Sequence, residues 1–312
     1  MQNQPKPRDP EWTIIKLLKW TTSYFKSHDI DSPRSTAEIL LAHVLKLQRI
    51  DLYLQYDKPL YINELSKFKV LIKRRIKREP VAYIVGVKEF WSMDFAVTKD
   101  VLIPRPETEC LVEAALSLLP EDKCSDVKSV PKSILELGTG SGAVILAIAF
   151  MRPKHIYFAS DRSVEAVRLA VQNSKRHDLD MTVSFFCADW LMPLNSGMQR
   201  FDMIISNPPY VLTRVIGRLQ PEIYKYEPTA ALDGGKDGLF CLKHIINIAH
   251  LYLNRKGSLL LEIGHDQKND VQSIIDQCGN YENVVFIKDY SGYDRVVRMK
   301  KKKTVANQYL IC

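Results

Sequence analysis

The chain has 312 residues, 46% of them hydrophobic and 26% charged, which suits a soluble protein with a sizeable core in one large or two ordinary domains. No apolar run approaches the ~20 residues of a membrane span, and the opening "MQNQPKPRDPEW" lacks the apolar stretch of a secretory signal. The net charge of +8 allows contact with nucleic acid or an acidic partner.

In chain order, residues 11–80 read as helical. "EWTIIKLLKWTTSYFKSHDI" places Ile14, Leu17, Leu18 and Tyr24 near helical spacing, before a turn at Asp31–Pro33. "STAEILLAHVLKL" continues from a Ser/Thr cap, and "YINELSKFKVLIKRRIKR" forms a third amphipathic stretch before Pro80. Trp12 and Trp20 are expected in the core of this helical region. Much of the positive charge falls in Lys67 to Arg78 and in Lys300 to Lys303. The first run reads either as a solvated helix face or as a contact surface, the second as a frayed tail.

Residues 81–110 are rich in β-branched and aromatic types, with turn signals at Gly86 and at Lys99–Asp100, and read as a hairpin or short strands joining two domains. A helix is expected from near Thr108, then a polar linker, "PEDKCSDVKSVPKS". From 134 onward strands and helices alternate. The predicted strands are 134–137, 156–160, 183–187, 201–206, 258–263, 284–288 and 295–299, with helices at 143–151, 163–176 and 237–254. This alternation predicts a mostly parallel sheet covered by helices on both faces. The six cysteines (Cys110, Cys124, Cys187, Cys241, Cys278, Cys312) and seven histidines form no CxxC or HxxxH pair. Reduced thiols in a cytoplasmic protein and no metal are therefore expected.

"ILELGTGSGAVILAIA" carries the main cofactor signal. A buried strand runs into Gly138-Thr139-Gly140-Ser141-Gly142 and then an apolar helix. Glycines let the backbone turn sharply and approach a ligand closely. The GxGxG spacing differs from the GxGxxG that seats a pyrophosphate, and with Glu136 before it suits a cationic cofactor without phosphate, such as S-adenosylmethionine. Asp161 ends the next strand, 23 residues after Gly138, where a carboxylate can accept both hydroxyls of a ribose or cap the helix from Ser163. In "CADW", Asp189 and Trp190 can edge and stack an adenine ring, although core packing is the ordinary role of such a Trp.

The fourth strand ends in "NPPY", Asn207-Pro208-Pro209-Tyr210, at the strand edge where open α/β sheets bind ligands. An amide or exocyclic amine is a poor nucleophile because its lone pair is delocalised. The Asn207 side-chain oxygen and the Pro208 carbonyl can hold its two N–H groups and aim the lone pair at a sulfonium methyl, which is catalysis by positioning. The prolines hold these acceptors in place, and Tyr210 can stack on a planar substrate group.

Together these stretches resemble the HemK/PrmC family of protein-(glutamine-N5) methyltransferases. The resemblance runs through "PVAYIVGVKEF", "VLIPRPETECLVE", "LELGTGSG", "NPPY", "EPTAALDGGKDGL", "LLLEIGHDQ" and "GYDRVV". It implies a class I, Rossmann-like methyltransferase with a mostly parallel seven-stranded sheet and a small all-helical N-terminal domain. The implied division is a substrate-recognition domain over 1–80, a β-hairpin linker over 81–107, a methyltransferase domain over 108–300 and a basic tail over 301–312. The implied reaction methylates the amide nitrogen of the Gly-Gly-Gln glutamine in class 1 peptide chain release factors. S-adenosylmethionine is the donor and S-adenosylhomocysteine the product.

By the same resemblance, Gly138, Thr139, Gly140, Ser141, Gly142, Asp161, Trp190 and Asn207 bind the cofactor. Asn207, Pro208, Pro209 and Tyr210 form the glutamine pocket, with Asn207, Pro208 and Tyr210 catalytic and Arg105 and Glu107 shaping its mouth. Asp233 and Asp237 hold the "EPTAALDGGKDG" loop. The implied enzyme is a monomer requiring no nucleic acid and no membrane. "NPPY" also occurs in enzymes that methylate nucleobase amino groups, which keeps a base methyltransferase as the alternative, with a non-catalytic binder of release factors or ribosomes as a third reading.

Overall fold

The computed structural model describes residues 12–120, 130–192 and 201–302. The chain divides into two compact units, one running to Gly86 and taking in Gln220–Tyr226, the other formed by the remainder.

In the first unit the apolar stripe of α1 (Ile14–Lys26) buries Ile14, Leu17, Leu18, Thr21 and Phe25. Trp20 departs from the expectation. It is 46% exposed, because the buried stripe lies on another side of the helix, and its ring stacks on Tyr24 at 5.0 Å. Trp12 is half-buried against the core. α2 (Pro33–Leu45) begins two residues before the expected Ser35–Thr36 cap, since a proline without an N–H costs nothing in a first helical turn. A short α3 (Asp51–Leu54) and then α4 (Ile62–Ile76) follow. Residues Val81–Val85 form α5 where β structure was expected. Pro80 opens this helix and Gly86, at φ 76°, closes it in the left-handed conformation, so two punctuating residues outweigh a β-branched composition.

The basic run has a structural use that composition did not show. Arg75 is buried, and its Nη2 donates to Glu222 Oε1 at 2.8 Å, an oxygen also 2.9 Å from Arg78 Nε. Tyr226 donates its hydroxyl proton to the Lys77 carbonyl at 2.8 Å. Lys67, Lys69, Lys73 and Lys77 stay exposed, so the run divides into ion-paired arginines, of which Arg75 is buried, and solvated lysines. Removing Glu222 strands the Arg75 charge, and breaking a buried pair costs about 3 kcal/mol. Glu222→Ala is expected to lower unfolding stability by that amount, measured by urea denaturation, with Lys73→Ala near neutral.

The second unit starts with an antiparallel hairpin of β1 (Val87–Phe90) and β2 (Met93–Ala96). Its two-residue turn is Trp91-Ser92, both at positive φ, the type I′ geometry that matches strand twist. The turn signals expected at Gly86 and Lys99–Asp100 do not form it. Next come α6 (Glu109–Leu116), β3 (Ser133–Leu137), α7 (Ala143–Met151), β4 (Ile156–Asp161), α8 (Val164–Arg176), β5 (Val183–Cys187), β6 (Phe201–Ser206) and α9 (Thr213–Ile216). Helix α10 (Pro221–Tyr226) belongs to the first unit, and α11 (Phe240–Tyr252), β7 (Leu253–Glu262), α12 (Lys268–Cys278), β8 (Tyr281–Lys288) and β9 (Asp294–Lys301) complete the second.

The seven-stranded sheet has the order β5-β4-β3-β6-β7-β9-β8, parallel except at β9, which pairs antiparallel with both neighbours. Ile134, Met203, Ile205, Leu260 and Val296 face α6 and α7 in one core layer. Leu135, Leu137, Ile204, Leu259, Leu261 and Val297 face α11 and α12 in the other. Phe201 and Met203 break the two-residue alternation at the register shift between β6 and β7. β7 begins before the expected Ser258, through the polar stretch Asn254–Gly257, which carries no strand pattern. Lys300 and Lys301 lie in β9, with Lys301 Nζ donating to the Leu253 carbonyl at 2.9 Å, so this part of the basic run is strand and not tail. Residues 303–312, Cys124 and most of the 120–133 linker lie outside the described residues. Cys110, Cys187, Cys241 and Cys278 are free thiols.

Candidate active site

The carboxyl ends of β3, β4 and β6 open into a cavity of about 920 Å³ within the second unit. β3 leads directly to Gly138 at φ 69° and Gly140 at φ 55°, conformations costly for any residue with a Cβ. A Cβ on Gly140 would meet nothing within 4 Å, and one on Gly138 would lie 4.0 Å from Trp190 Cζ3. The two glycines therefore hold open space at the loop, with the indole beside it. Gly142 differs. It is the N-cap of α7, and a Cβ there would stand 3.1 Å from Leu146 Cδ1 and 3.2 Å from Ala170 Cβ. It is not among the residues of the cavity wall, and its lack of a side chain lets α7 pack on α8.

The helix after the loop, α7, is apolar all round and buried from Ala143 to Ala149, so the loop is anchored in the core. Asn173, fully buried on α8, fixes it from the side. Its Oδ1 accepts from the Ala96 N–H at 2.8 Å, and its Nδ2 donates to the carbonyls of Ala96 at 3.0 Å and Ser141 at 2.8 Å. One amide thus joins the hairpin to the glycine loop.

Asp161 accepts from the Gly140 N–H through Oδ2 and from the Ser163 N–H through Oδ1, both at 2.9 Å. Ser163 itself caps α8, accepting from Ala166. Glu136 is buried beneath the loop, and burial pushes its carboxyl up to about 8 despite a hydrogen bond from Thr139. The wall includes Arg105, Gly138, Thr139, Gly140, Ser141, Asp161, Asp189, Trp190, Asn207 and Pro209. Pro208, Tyr210 and Glu107 are not among the lining residues; Pro208 is buried, Tyr210 half-buried and Glu107 exposed. Asp233 accepts from Thr213 and the Gly235 N–H, while Asp237 accepts from the Leu239 N–H and pairs with Lys243, so both tie their loop together.

Thr108 in the wall, and Glu227 and Glu262 outside it, were assigned no role of their own from sequence. Asn207 Nδ2 donates to Thr108 Oγ1 at 3.2 Å, which leaves Oδ1 as the atom without a partner among the described residues. Tyr210 donates to Glu262 Oε1 at 3.1 Å, and Glu262 is 1% exposed at the end of β7. Burial raises that carboxyl to about 7. Glu227, also buried, pairs with Arg105 and accepts from the Ile103 N–H at 3.2 Å, joining "IPRPETE" to "EPTAALDGG". A carboxylate inside an apolar run, as in "LLLEIG", was the available sequence signal for Glu262.

This sheet order, with a glycine loop after β3, an acidic residue ending β4 and NPPY after β6, defines a class I S-adenosylmethionine-dependent methyltransferase. Residues 16–86 match the family model of the PrmC N-terminal domain and residues 116–219 that of the methyltransferase small domain. A Release factor glutamine methyltransferase from Geobacter sulfurreducens is 41% identical over 92% of this chain and 96% of its own length. One from Rhodopirellula baltica is 37% identical over 94% and 98%. Among solved structures, a methyltransferase from Pyrococcus furiosus superposes with a TM-score of 0.50 at 18% identity, over 78% of this chain and 100% of that one. A human methyltransferase 10 domain containing protein gives 0.50 at 14%, over 68% and 89%, and both share the fold alone. The chain belongs to the release factor glutamine methyltransferase family.

The Asn173 bridge generates an expectation independent of function. Asn173→Ala leaves the Ala96 N–H and the carbonyls of Ala96 and Ser141 without their partner, at a cost of about 1–3 kcal/mol. Thermal unfolding checks the stability loss, and hydrogen exchange at Ala96 and the glycine loop should rise with it.

Proposed function

We propose that this chain methylates the side-chain amide nitrogen of the Gly-Gly-Gln glutamine in class 1 peptide chain release factors and so supports translation termination. It acts as a cytoplasmic monomer without a metal. The observation that carries this reading is the Asn207 amide, whose nitrogen is committed to Thr108 while its oxygen stays available at the cavity wall. An acceptor held in that way suits a substrate that presents N–H groups.

S-adenosylmethionine, when bound, supplies an electrophilic sulfonium methyl. Asp161, already oriented by two backbone N–H groups, accepts from the ribose hydroxyls through its remaining lone pairs. Trp190 would cover the adenine face, with Asp189 at its edge, and the open space over Gly138 and Gly140 would admit the part of the ligand that runs closest to the backbone. Asn207 Oδ1 and the Pro208 carbonyl accept the two N–H groups of the glutamine amide and turn its lone pair toward the methyl. Tyr210 and Pro209 bound the amide plane, and Arg105, held by Glu227, shapes the mouth. The substrate nitrogen would take the methyl carbon as the carbon–sulfur bond breaks and its electron pair stays on the departing thioether, S-adenosylhomocysteine, and would give up one proton to water, so the enzyme needs no covalent intermediate. The helical unit, with its exposed lysines on α4, holds acidic surface of the release factor away from the glutamine.

Methyl transfer from radiolabelled S-adenosylmethionine to a purified class 1 release factor tests this reading. A factor with its loop glutamine replaced, and total RNA and DNA, serve as parallel acceptors. Label on the unaltered factor alone is expected, whereas label on nucleic acid with none on the factor overturns the substrate. Asn207→Ala is expected to abolish turnover while changing cofactor affinity by no more than about tenfold. Asp161→Ala is expected to weaken cofactor binding first, by at least about tenfold in calorimetry, because charge-assisted hydrogen bonds are lost.

A further inference from the structure

We propose that Gln267 is a positioning residue for the methyl-acceptor pocket: its buried amide clamps the peptide unit that closes Asn207-Pro208-Pro209-Tyr210 and so fixes where the Pro208 carbonyl points. The proposal deepens the reading above and rests on it, because it concerns an acceptor assigned there to the substrate amide.

Gln267 is the N-cap residue of α12, in the turn after β7, and is 5% exposed. Its Oε1 accepts from the Gly264 N–H at 2.8 Å. Its Nε2 donates to the carbonyls of Gly238 at 3.0 Å and Tyr210 at 3.2 Å. The neighbours decide the orientation of this amide. Flipped, it would set an oxygen against two carbonyl oxygens and two N–H groups against a third. One side chain therefore joins the turn after β7, the end of NPPY and the glycine-rich loop before α11.

The Tyr210 end is held from several directions. The N–H of Val211, the other pole of the same peptide unit, donates to the Leu232 carbonyl at 2.9 Å, and the Val211 carbonyl accepts from the Gly234 N–H at 2.8 Å. A Cβ on Gly234 would stand 2.7 Å from Tyr210 Cα, and one on Gly238, at φ 72°, would stand 2.6 Å from the Tyr210 carbonyl oxygen. Neither position admits a side chain. The phenol donates to Glu262.

At the other end Ser206 is fixed in β6, between Leu137 of β3 and Leu261 of β7, and its hydroxyl donates to the Leu137 carbonyl at 2.8 Å. NPPY thus spans two fixed points, and two of its four residues are prolines with φ already set. So short a span cannot move at one end without rotating the peptide units inside it. Releasing the Tyr210 carbonyl turns the Pro208 carbonyl away from the substrate N–H. The cofactor side has separate supports. Gln267, Gly238 and Tyr210 are not among the residues of the cavity wall, and the glycine loop is held by Asp161 and Asn173.

The test uses the full chain with a release factor as methyl acceptor. Gln267→Met keeps the length of the side chain and loses both donors, whereas Gln267→Glu keeps the shape and sets a second oxygen against the two carbonyls. Both are expected to lower kcat about 100-fold, with KM for the release factor and cofactor affinity by calorimetry changed less than about fivefold. Turnover is measured well below each variant's unfolding midpoint, where a residue that served stability alone would leave kcat unchanged. Parental kcat in folded Gln267→Met overturns the proposal, as does a loss of cofactor affinity equal to the loss of kcat. A parent that methylates no release factor overturns the proposed substrate instead. The clamp is then read by nitrogen-15 NMR of the parent, in which both Nε2 protons of Gln267 are expected to be protected from exchange. A Gln267 side-chain amide that exchanges as fast as exposed ones overturns it, whichever variants fold.

Discussion

The site depends on the pairing of β3 with β4 on one side and β6 on the other. The chain builds β3, β4 and β5 outward in one direction, then crosses back to lay β6 against β3 and continue the other way. Connections leave the carboxyl ends of β3 and β6 in opposite directions, so a crevice opens between them. The glycine loop and NPPY, almost seventy residues apart, become its two walls because of that reversal. Nothing in either stretch alone would bring them together.

Polar side chains buried behind the walls then convert a crevice into a shaped site. Glu227 links Arg105 to the chain after α10, Asn173 links the hairpin to Ser141, and Glu262 receives Tyr210. Each is a charged or amide group removed from water, which costs free energy unless its hydrogen bonds are nearly all made. These groups contribute position more than stability, and they rest on the two apolar layers on either face of the sheet.

Much of this was legible in the sequence. The strand 201–206 and the helix 143–151 fall where the pattern places them, because buried elements in an α/β sheet read as apolar runs, and the edge strand 183–187 does so through its β-branched and aromatic residues. The GxGxG loop, Asp161 and Asn207 also meet at one cavity. Less visible were features decided by context. Trp91-Ser92 makes a type I′ turn without the usual Asn or Gly, α5 overrides β-branched residues, and Gly142 serves helix packing. Trp20 lies off the buried stripe of α1 and stacks on the half-buried Tyr24, which in turn meets His28 just past the helix end. Arg75 and Glu222, 147 positions apart, could not be paired by any local pattern.

Asp161 shows a consequence that extends to recognition. Its two oxygens are engaged by the N–H groups of Gly140 and Ser163, so the carboxylate cannot rotate freely. Freezing a side chain on ligand arrival costs about 0.5–1.5 kcal/mol, and here that entropy is surrendered when the chain folds. In the proposed reading, selectivity for a pair of adjacent hydroxyl groups thus begins in two backbone amides, those of Gly140 and Ser163, that orient the carboxylate before the ligand arrives.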